Sequence, residues 1–147
     1  MKAVLQRVSS GSVKNTATDE VRAIGKGLAV LLGFSKTDTE DKIEYMVEKI
    51  LNLRVFPGGE NNSDFSLSVR DKNYEVLLVP QFTLYGLTKK GRRPDFAEAA
   101  DSDSASSLFE KFSEVISKRI KMQQGWFGAA QEVNIVNEGP VTLIVEK

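Results

Sequence analysis

The sequence predicts a single-domain α/β fold in which mixed β-sheets pack on each other and two long helices lie on the outside. Two observations lead to this prediction. Two stretches carry apolar residues at helical spacing, and six or more short runs are either continuously apolar or alternate between apolar and polar residues. The chain has 147 residues, which is the size of one domain, and no linker-like segment divides it. We therefore assign residues 1–147 to one domain.

The first third of the chain is predicted to contain three strands. Residues Lys2–Val8 alternate as a strand does, and the polar, β-biased residues 9–24 are expected to form a hairpin that turns at Thr18-Asp19. The apolar run Leu28–Phe34 begins after a glycine and indicates a buried strand.

The first helix is expected to follow, with Asp38 as its N-cap. Its apolar residues recur at helical spacing and are Ile43, Met46, Val47, Ile50 and Leu51. We expect the helix to end near Arg54, before Pro57-Gly58-Gly59 and a loop rich in Asn and Ser.

The second half is predicted to begin with a buried strand, Tyr74–Val79, which continues through Pro80 into residues 81–85. A polar, basic loop covers Gly86–Asp95. Asp101 or Ser102 is expected to cap the second helix, whose apolar residues are Leu108, Phe109, Phe112, Val115, Ile116 and Ile120. After the irregular segment Gly125–Ala130, two strands are expected at Glu132–Val136 and Val141–Val145.

The absence of two residue types limits the chemistry. The chain has no cysteine, which excludes disulfides, thiolate nucleophiles and cysteine-ligated metals, and no histidine, which excludes a Ser-His-Asp triad and histidine-ligated metals. We expect no metal and no cofactor. Catalysis must then use carboxylates, Lys, Tyr, hydroxyls, backbone groups or a group of the substrate. No signal peptide or membrane-spanning run is visible, so a cytoplasmic protein without a membrane partner is expected.

Four cations lie within five residues on a chain whose net charge is zero: Lys89, Lys90, Arg92 and Arg93. Such a patch suits contacts with phosphates. A solvated loop without a partner explains the same composition, and composition alone favours that interpretation.

Two further segments each allow two interpretations. Gly139-Pro140 is typical of a hairpin turn, but its carbonyls could also recognise an amine, since proline removes a donor and leaves acceptors. Trp126 and Phe127, among small residues, could stack on a base or form a core pair.

Pro80 is unusual within a strand because proline cannot join a central hydrogen-bond ladder. It should mark a strand end or a bend, which frees the next backbone N–H groups to stabilise an oxyanion. Thr83 could instead be a nucleophile, or an ordinary strand threonine, but the chain has no histidine to accept its proton.

In their order along the chain, these segments resemble the D-aminoacyl-tRNA deacylase family, also called the D-tyrosyl-tRNA deacylases. The resemblance extends from residues 1–8 (MKAVLQRV) to residues 139–142 (GPVT). The blocks between them are residues 52–56 (NLRVF), 81–85 (QFTLY), 90–96 (KGRRPDF) and 125–129 (GWFGA). Two family signatures, Ser-Gln-Phe-Thr-Leu and Asn-x-Gly-Pro-x-Thr, are matched at residues 81–84 and 137–142. Pro80 replaces the family serine, and Gln131 replaces a common methionine.

The resemblance implies a cytoplasmic homodimer that cleaves the ester between a D-amino acid and the 3′-terminal adenosine of tRNA, and that also removes glycine from mischarged tRNA. It implies a cis Gly139-Pro140 bond whose carbonyls enter the pocket of the other subunit, hold the α-amino group and exclude L side chains. Arg7 matches the family arginine that fixes this loop. The family is thought to activate water with the tRNA 2′-hydroxyl rather than with a side chain.

On this basis we assign three groups of residues. The catalytic residues are Gln81, Phe82 and Thr83; the substrate-binding residues are Arg7, Phe127, Asn137, Gly139, Pro140 and Thr142; and the tRNA-binding residues are Lys89, Lys90, Arg92 and Arg93. Aminoacyl-tRNA is the expected partner, and DNA is not. Two other hypotheses remain: a catalytically silent dimer that binds the tRNA 3′ end, and an esterase of small molecules that uses Thr83.

Overall fold

A computed structural model describes residues 1–58 and 63–147. Among these residues, six strands form one mixed sheet: β1 (Lys2–Asn15), β2 (Val21–Ile24), β3 (Gly27–Gly33), β6 (Glu75–Pro80), β7 (Met122–Gln124) and β8 (Gln131–Glu146). The other elements are a two-stranded ribbon of β4 (Arg54–Gly58) and β5 (Ser63–Ser68), the helices α1 (Asp41–Asn52) and α2 (Ser102–Ser117), and a 3₁₀ turn (Phe82–Tyr85). The predicted mixed α/β class is confirmed. None of the helices described is long and apolar enough to cross a membrane.

The long strand β1 organises the sheet. One of its edges pairs antiparallel with β3 near its start and with β2 near its end, and the other edge pairs antiparallel with β8 along almost its whole length. The strands β3, β6 and β7 then follow in parallel. The order from one side to the other is therefore β8, β1, β3, β6 and β7, which puts β8 three strands away from β6.

Both helices and the ribbon bury their apolar residues against one face of the sheet. The apolar residues predicted for α1 are all buried there, and so are Phe109, Phe112 and Ile116 of α2. The carboxylate of Asp101 accepts a hydrogen bond from the Ser104 N–H at 2.9 Å, which confirms the predicted N-cap of α2. This helix ends at Ser117, so Ile120 packs on the core from the turn that follows.

The predicted N-cap of the first helix is wrong. Glu40 occupies that position without a side-chain hydrogen bond. The carboxylate of Asp38 instead accepts hydrogen bonds from the Met1 ammonium at 2.6 Å, the Ser35 N–H at 2.8 Å and the Lys42 ammonium at 3.0 Å. An N-cap side chain needs only a backbone N–H group of the first helical turn as its donor. The Asp38 carboxylate is instead buried and forms hydrogen bonds with two cations, the Met1 and Lys42 ammonium groups.

The strand expected to pass through Pro80 ends there. Pro80 pairs with Leu32 as the last residue of β6, and the chain then forms the 3₁₀ turn. The bend expected at this proline is therefore present, and the strand-like pattern of residues 81–85 does not form a strand.

The C-terminal strands were predicted as two and are one. Strand β8 runs through Gly139-Pro140, and its register against β1 shifts between Gln6 and Ser10 to accommodate this dipeptide. The hairpin interpretation is therefore wrong, because β1 supplies a partner on both sides of the dipeptide. The ribbon β4–β5 was not expected, since Pro57 and Gly58 suggested a loop; residues 59–62 of that loop lie outside the described part of the chain.

Candidate active site

A cavity of about 560 Å³ lies where β6 ends. The end of β6 and the start of the 3₁₀ turn form one wall, α2 contributes small residues, and residues 126–131 form the opposite wall. Of the predicted site residues, Gln81, Phe82 and Phe127 line it. Trp126 and Phe127 give the opposite wall its aromatic character. Phe127 also packs against Phe109 of α2, with 6.1 Å between ring centroids, so it contributes to the core as well as to the cavity wall.

The 3₁₀ turn leaves backbone donors free. The Gln81 N–H donates to the Leu32 carbonyl at 2.8 Å, which anchors the start of the turn to β3. The Leu84 N–H donates to the Gln81 carbonyl at 3.4 Å. Among the described residues, no acceptor takes the N–H of Phe82 or of Thr83, as expected for the first residues of a helical turn. The donors required for an oxyanion site are thus present next to the cavity.

Among the described residues, none accepts a proton from the Thr83 hydroxyl in a way that would make it a nucleophile. Its hydroxyl oxygen accepts a hydrogen bond from the Gln81 side-chain amide. None of the described residues that line the cavity is an acid, a lysine, an arginine or a tyrosine. The turn's one titratable side chain, Tyr85, is partly buried, and burial together with the Asp38 carboxylate raises its pKa to about 12. It stays a neutral phenol at pH 7.

The basic loop reaches the same turn through an aromatic contact. Lys89, Lys90, Arg92 and Arg93 are all exposed, and none forms an ion pair with a described residue. Reciprocal backbone hydrogen bonds between Leu87 and Asp95, at 2.7 and 3.0 Å, close the loop at its base.

Phe96, one residue beyond this closure, packs edge-on against Phe82 with 5.1 Å between ring centroids. Phe82 itself is 57% exposed. The loop is therefore anchored beside the cavity mouth, with its four cations facing solvent.

The remaining predicted residues form a second group on β1 and β8. The Arg7 side chain is 95% buried and donates to the carbonyls of Val55 at 2.9 Å, Glu138 at 3.3 Å and Asp64 at 3.4 Å. It ties the ribbon to the chain just before Gly139. This peptide bond to Pro140 is cis, and both residues are exposed.

Asn137 fixes the other side of the same dipeptide. Its side-chain amide donates to the carbonyls of Arg7 at 2.8 Å and Val141 at 3.1 Å, and its side-chain oxygen accepts from the Thr142 hydroxyl at 3.3 Å. The hydrogen bonds of Arg7, Asn137 and Thr142 thus fix the backbone on both sides of the exposed Gly139-Pro140 dipeptide.

The two groups are separate within one chain. None of Arg7, Asn137, Gly139, Pro140 and Thr142 lines the cavity. Strand β8 reaches the cavity near its start, through Gln131 and Val133, and the dipeptide lies farther along the same strand. Within the described part of one chain, the dipeptide therefore does not line the cavity beside the 3₁₀ turn.

Two contacts at the cavity were not predicted from the sequence. The side-chain oxygen of Gln131 accepts a hydrogen bond from the Trp126 backbone N–H at 2.7 Å. The Arg22 guanidinium lies over the indole of Trp126, with 4.1 Å from its carbon to the ring centroid. Both contacts join residues from different elements, and no local pattern signals them.

A mixed sheet with a helix-covered face, N–H groups without a described acceptor after a strand-ending proline, and an exposed Gly-Pro dipeptide give the chain a site that can stabilise the oxyanion formed in ester hydrolysis. The sequence profile described as D-Tyr-tRNA(Tyr) deacylase matches residues 4–146. A protein of Desulfatibacillum aliphaticivorans named D-aminoacyl-tRNA deacylase is 48% identical over 99% of this chain and 99% of its own length.

Two solved structures have a fold similar to that of this chain. A structure named c-Myc DNA Unwinding Element Binding Protein is 45% identical, covers 100% of this chain and 99% of its own, and superposes with a TM-score of 0.92. Another, titled as a probable eukaryotic D-amino acid tRNA deacylase, is 20% identical with a TM-score of 0.87 over 98% of this chain and 97% of its own, and shows the same fold. The chain belongs to the D-Tyr-tRNA(Tyr) deacylase family.

Proposed function

We propose that this protein hydrolyses the ester bond of D-aminoacyl-tRNA and of mischarged glycyl-tRNA, and so removes the wrong amino acids before translation uses them. One observation supports this most strongly. The cavity combines free backbone donors with aromatic walls and, among the described residues that line it, no titratable group. Such a cavity suits an ester that is reactive by itself and brings its own hydroxyl group.

The terminal adenosine occupies the cavity in this proposal. Trp126 and Phe127 offer aromatic surface to its base or ribose. The ester carbonyl then lies at the 3₁₀ turn, where the N–H groups of Phe82 and Thr83 stabilise the negative charge of the tetrahedral intermediate. Gln81 holds the Thr83 hydroxyl and so stiffens the turn.

The reaction needs no covalent enzyme intermediate. Water adds to the ester carbon, and the 2′-hydroxyl of the tRNA helps to remove its proton. The intermediate collapses when the C–O bond to the 3′ oxygen breaks and that oxygen takes up a proton. The products are a free amino acid and tRNA, and no metal or cofactor takes part.

A homodimer completes the site. The exposed Gly139-Pro140 dipeptide lies on a strand that exposes four apolar side chains: Val133, Val136, Leu143 and Ile144. A second copy of the chain that covers this strand would bring its dipeptide to the cavity of the first. The carbonyl oxygens there accept hydrogen bonds from the α-ammonium group of the substrate, and the rigid proline excludes an L side chain. Glycine has no side chain to exclude, so its ester is cleaved as well.

The basic loop provides the longer-range attraction. Lys89, Lys90, Arg92 and Arg93 face solvent beside the cavity mouth and suit the phosphates that precede the terminal nucleotide. Because the substrate is a component of translation, we place the protein in the cytoplasm. DNA is not expected as a partner.

One turnover assay separates this proposal from the two alternatives. D-aminoacyl-tRNA, glycyl-tRNA, L-aminoacyl-tRNA and a free D-amino acid ester are compared as substrates of wild type and of Thr83→Ala. We expect hydrolysis of the first two alone, and Thr83→Ala should retain measurable activity without any acyl-enzyme detectable by mass spectrometry. Binding of tRNA without turnover of any substrate would establish the silent dimer. Turnover of the free ester that disappears in Thr83→Ala would establish the small-molecule esterase.

A further inference from the structure

Gln131 presents an unused hydrogen-bond donor at the cavity wall. It is the first residue of β8 and lines the cavity beside Trp126. Its side-chain oxygen accepts the Trp126 N–H at 2.7 Å, which assigns the two ends of the amide, since only the oxygen can accept. Among the described residues, none accepts a hydrogen bond from the nitrogen of this amide. This nitrogen is also not one of the buried unpaired atoms, so it is accessible.

Neighbouring residues hold the amide in this orientation. A Cβ atom at Gly125 would overlap the Gln131 side-chain oxygen and would come within 3.4 Å of Pro80. The glycine therefore makes room for the amide. On the other side, the Arg22 guanidinium covers the Trp126 indole and donates to the Gln124 carbonyl at 3.0 Å. With its oxygen held by the Trp126 N–H, the amide keeps its nitrogen available as a donor at the cavity wall.

We propose that Gln131 is a specificity-determining residue whose side-chain amide donates a hydrogen bond to a ring nitrogen of the terminal adenine. The inference rests on the proposed function and names a contact for the base at that site. Adenine offers three ring nitrogens as acceptors outside its glycosidic bond, whereas its exocyclic amine is a donor and cannot pair with this nitrogen. The aromatic walls hold the base by stacking, which tolerates any base. The amide therefore distinguishes adenine from a base that has no acceptor at the same position.

The test uses a substrate mimic in which an amide replaces the ester: 3′-amino-3′-deoxyadenosine acylated with D-tyrosine. The mimic and its 1-deaza, 3-deaza and 7-deaza forms are titrated calorimetrically against wild type and variants. For wild type we expect one deaza form to bind about 3- to 10-fold more weakly than the parent mimic, the usual effect of one neutral hydrogen bond.

Two variants separate donation from structural support. Gln131→Glu keeps an oxygen for the Trp126 N–H but replaces the donor with an acceptor. It should therefore bind the parent mimic at least as weakly as wild type binds the sensitive deaza form. Gln131→Met removes both, and it should bind the parent mimic and the sensitive deaza form equally well. Gln123→Glu, on β7 outside the cavity, is the matched control and should behave as wild type.

The results distinguish this inference from the function on which it rests. Equal binding of all four mimics by wild type would overturn the role of Gln131, and so would variant losses that are the same for every mimic. If wild type hydrolyses D-aminoacyl-tRNA in either of these cases, the proposed function stands and only the base contact is wrong. If no D-aminoacyl-tRNA is hydrolysed, the proposed function itself fails.

Discussion

Phe82 allows one backbone donor to be removed with little disturbance to the fold. It is the first residue of the 3₁₀ turn, a position that proline favours. The preceding residue, Gln81, has φ −147° and ψ 83°, which is outside the α region that a following proline disfavours. The Phe82 N–H has no acceptor among the described residues. Phe82→Pro therefore deletes a donor without breaking a hydrogen bond of the fold.

The size of the effect follows from the role assigned to this N–H group. Loss of one oxyanion donor typically lowers the rate about 10²- to 10³-fold, or roughly 2.7–4 kcal/mol of transition-state stabilisation. We expect this loss for Phe82→Pro in single-turnover deacylation of D-aminoacyl-tRNA at saturating enzyme. The melting temperature should stay close to that of the control variant.

Phe82→Ala is the matched control, because it removes the same aromatic ring and keeps the N–H. Its rate should lie well above that of Phe82→Pro. If the two variants deacylate at rates within a few-fold of each other, while both remain folded, the Phe82 N–H does not stabilise the oxyanion.

Three further predictions concern Arg7, the buried carboxylate of Asp38 and the basic loop. Arg7→Met should keep the packing but leave the Val55 carbonyl without its donor. Chemical unfolding should then show a free energy of unfolding lower by about 1.5–3 kcal/mol, and the deacylation rate should fall by more than the stability loss explains. An unchanged free energy and an unchanged rate would contradict the positioning role. Asp38→Asn should lower the free energy of unfolding by about 3–5 kcal/mol at pH 7, since it leaves the buried Met1 ammonium without its ion pair. Burial raises the pKa of Asp38, but its hydrogen bonds with the Met1 ammonium, the Ser35 N–H and Lys42 outweigh this, so the pKa lies below the ordinary value of 3.8. The stabilisation is therefore complete above pH 3.8 and disappears as the pH falls through the lowered pKa, so the gap between wild type and variant should close in acid; a constant gap would contradict this. Replacing Lys90 and Arg92 with Ala should reduce the log–log salt slope of tRNA binding by about 0.7–0.9 per lost phosphate contact. Lys118→Ala, at the residue that follows α2, should leave the slope unchanged, and an unaltered slope in both variants would make the loop a solvated surface.

The sequence predicts the parts of this fold that depend on local patterns. The apolar residues of α1 and the N-cap of α2 are set by spacing and by one carboxylate near free N–H groups, and both are found as expected. Pro80 likewise ends its strand, because a missing donor acts in any context.

The expectations that fail depend on distant partners. Gly139-Pro140 has the composition of a hairpin turn, and only pairing with β1 on both sides makes it a bulge within one strand. Asp38 has the position of an N-cap, and only the approach of the Met1 ammonium makes it part of a buried ion pair. The hydrogen bond from Trp126 to Gln131 has no sequence signal, because it depends on how an irregular segment folds back on β8.

A mixed dimer tests most directly whether the site combines residues of two subunits. One chain carries Phe82→Pro and the other Gly139→Ala, whose Cβ would lie 2.9 Å from Val141 and 3.0 Å from the Arg7 guanidinium at a φ of +114°. Two affinity tags isolate the mixed dimer from the two inactive parents. If the dipeptide acts in the partner's cavity, one of the two sites combines intact residues from both chains, and about half of the wild-type deacylation rate should return. A mixed dimer as inactive as its parents would contradict the shared site.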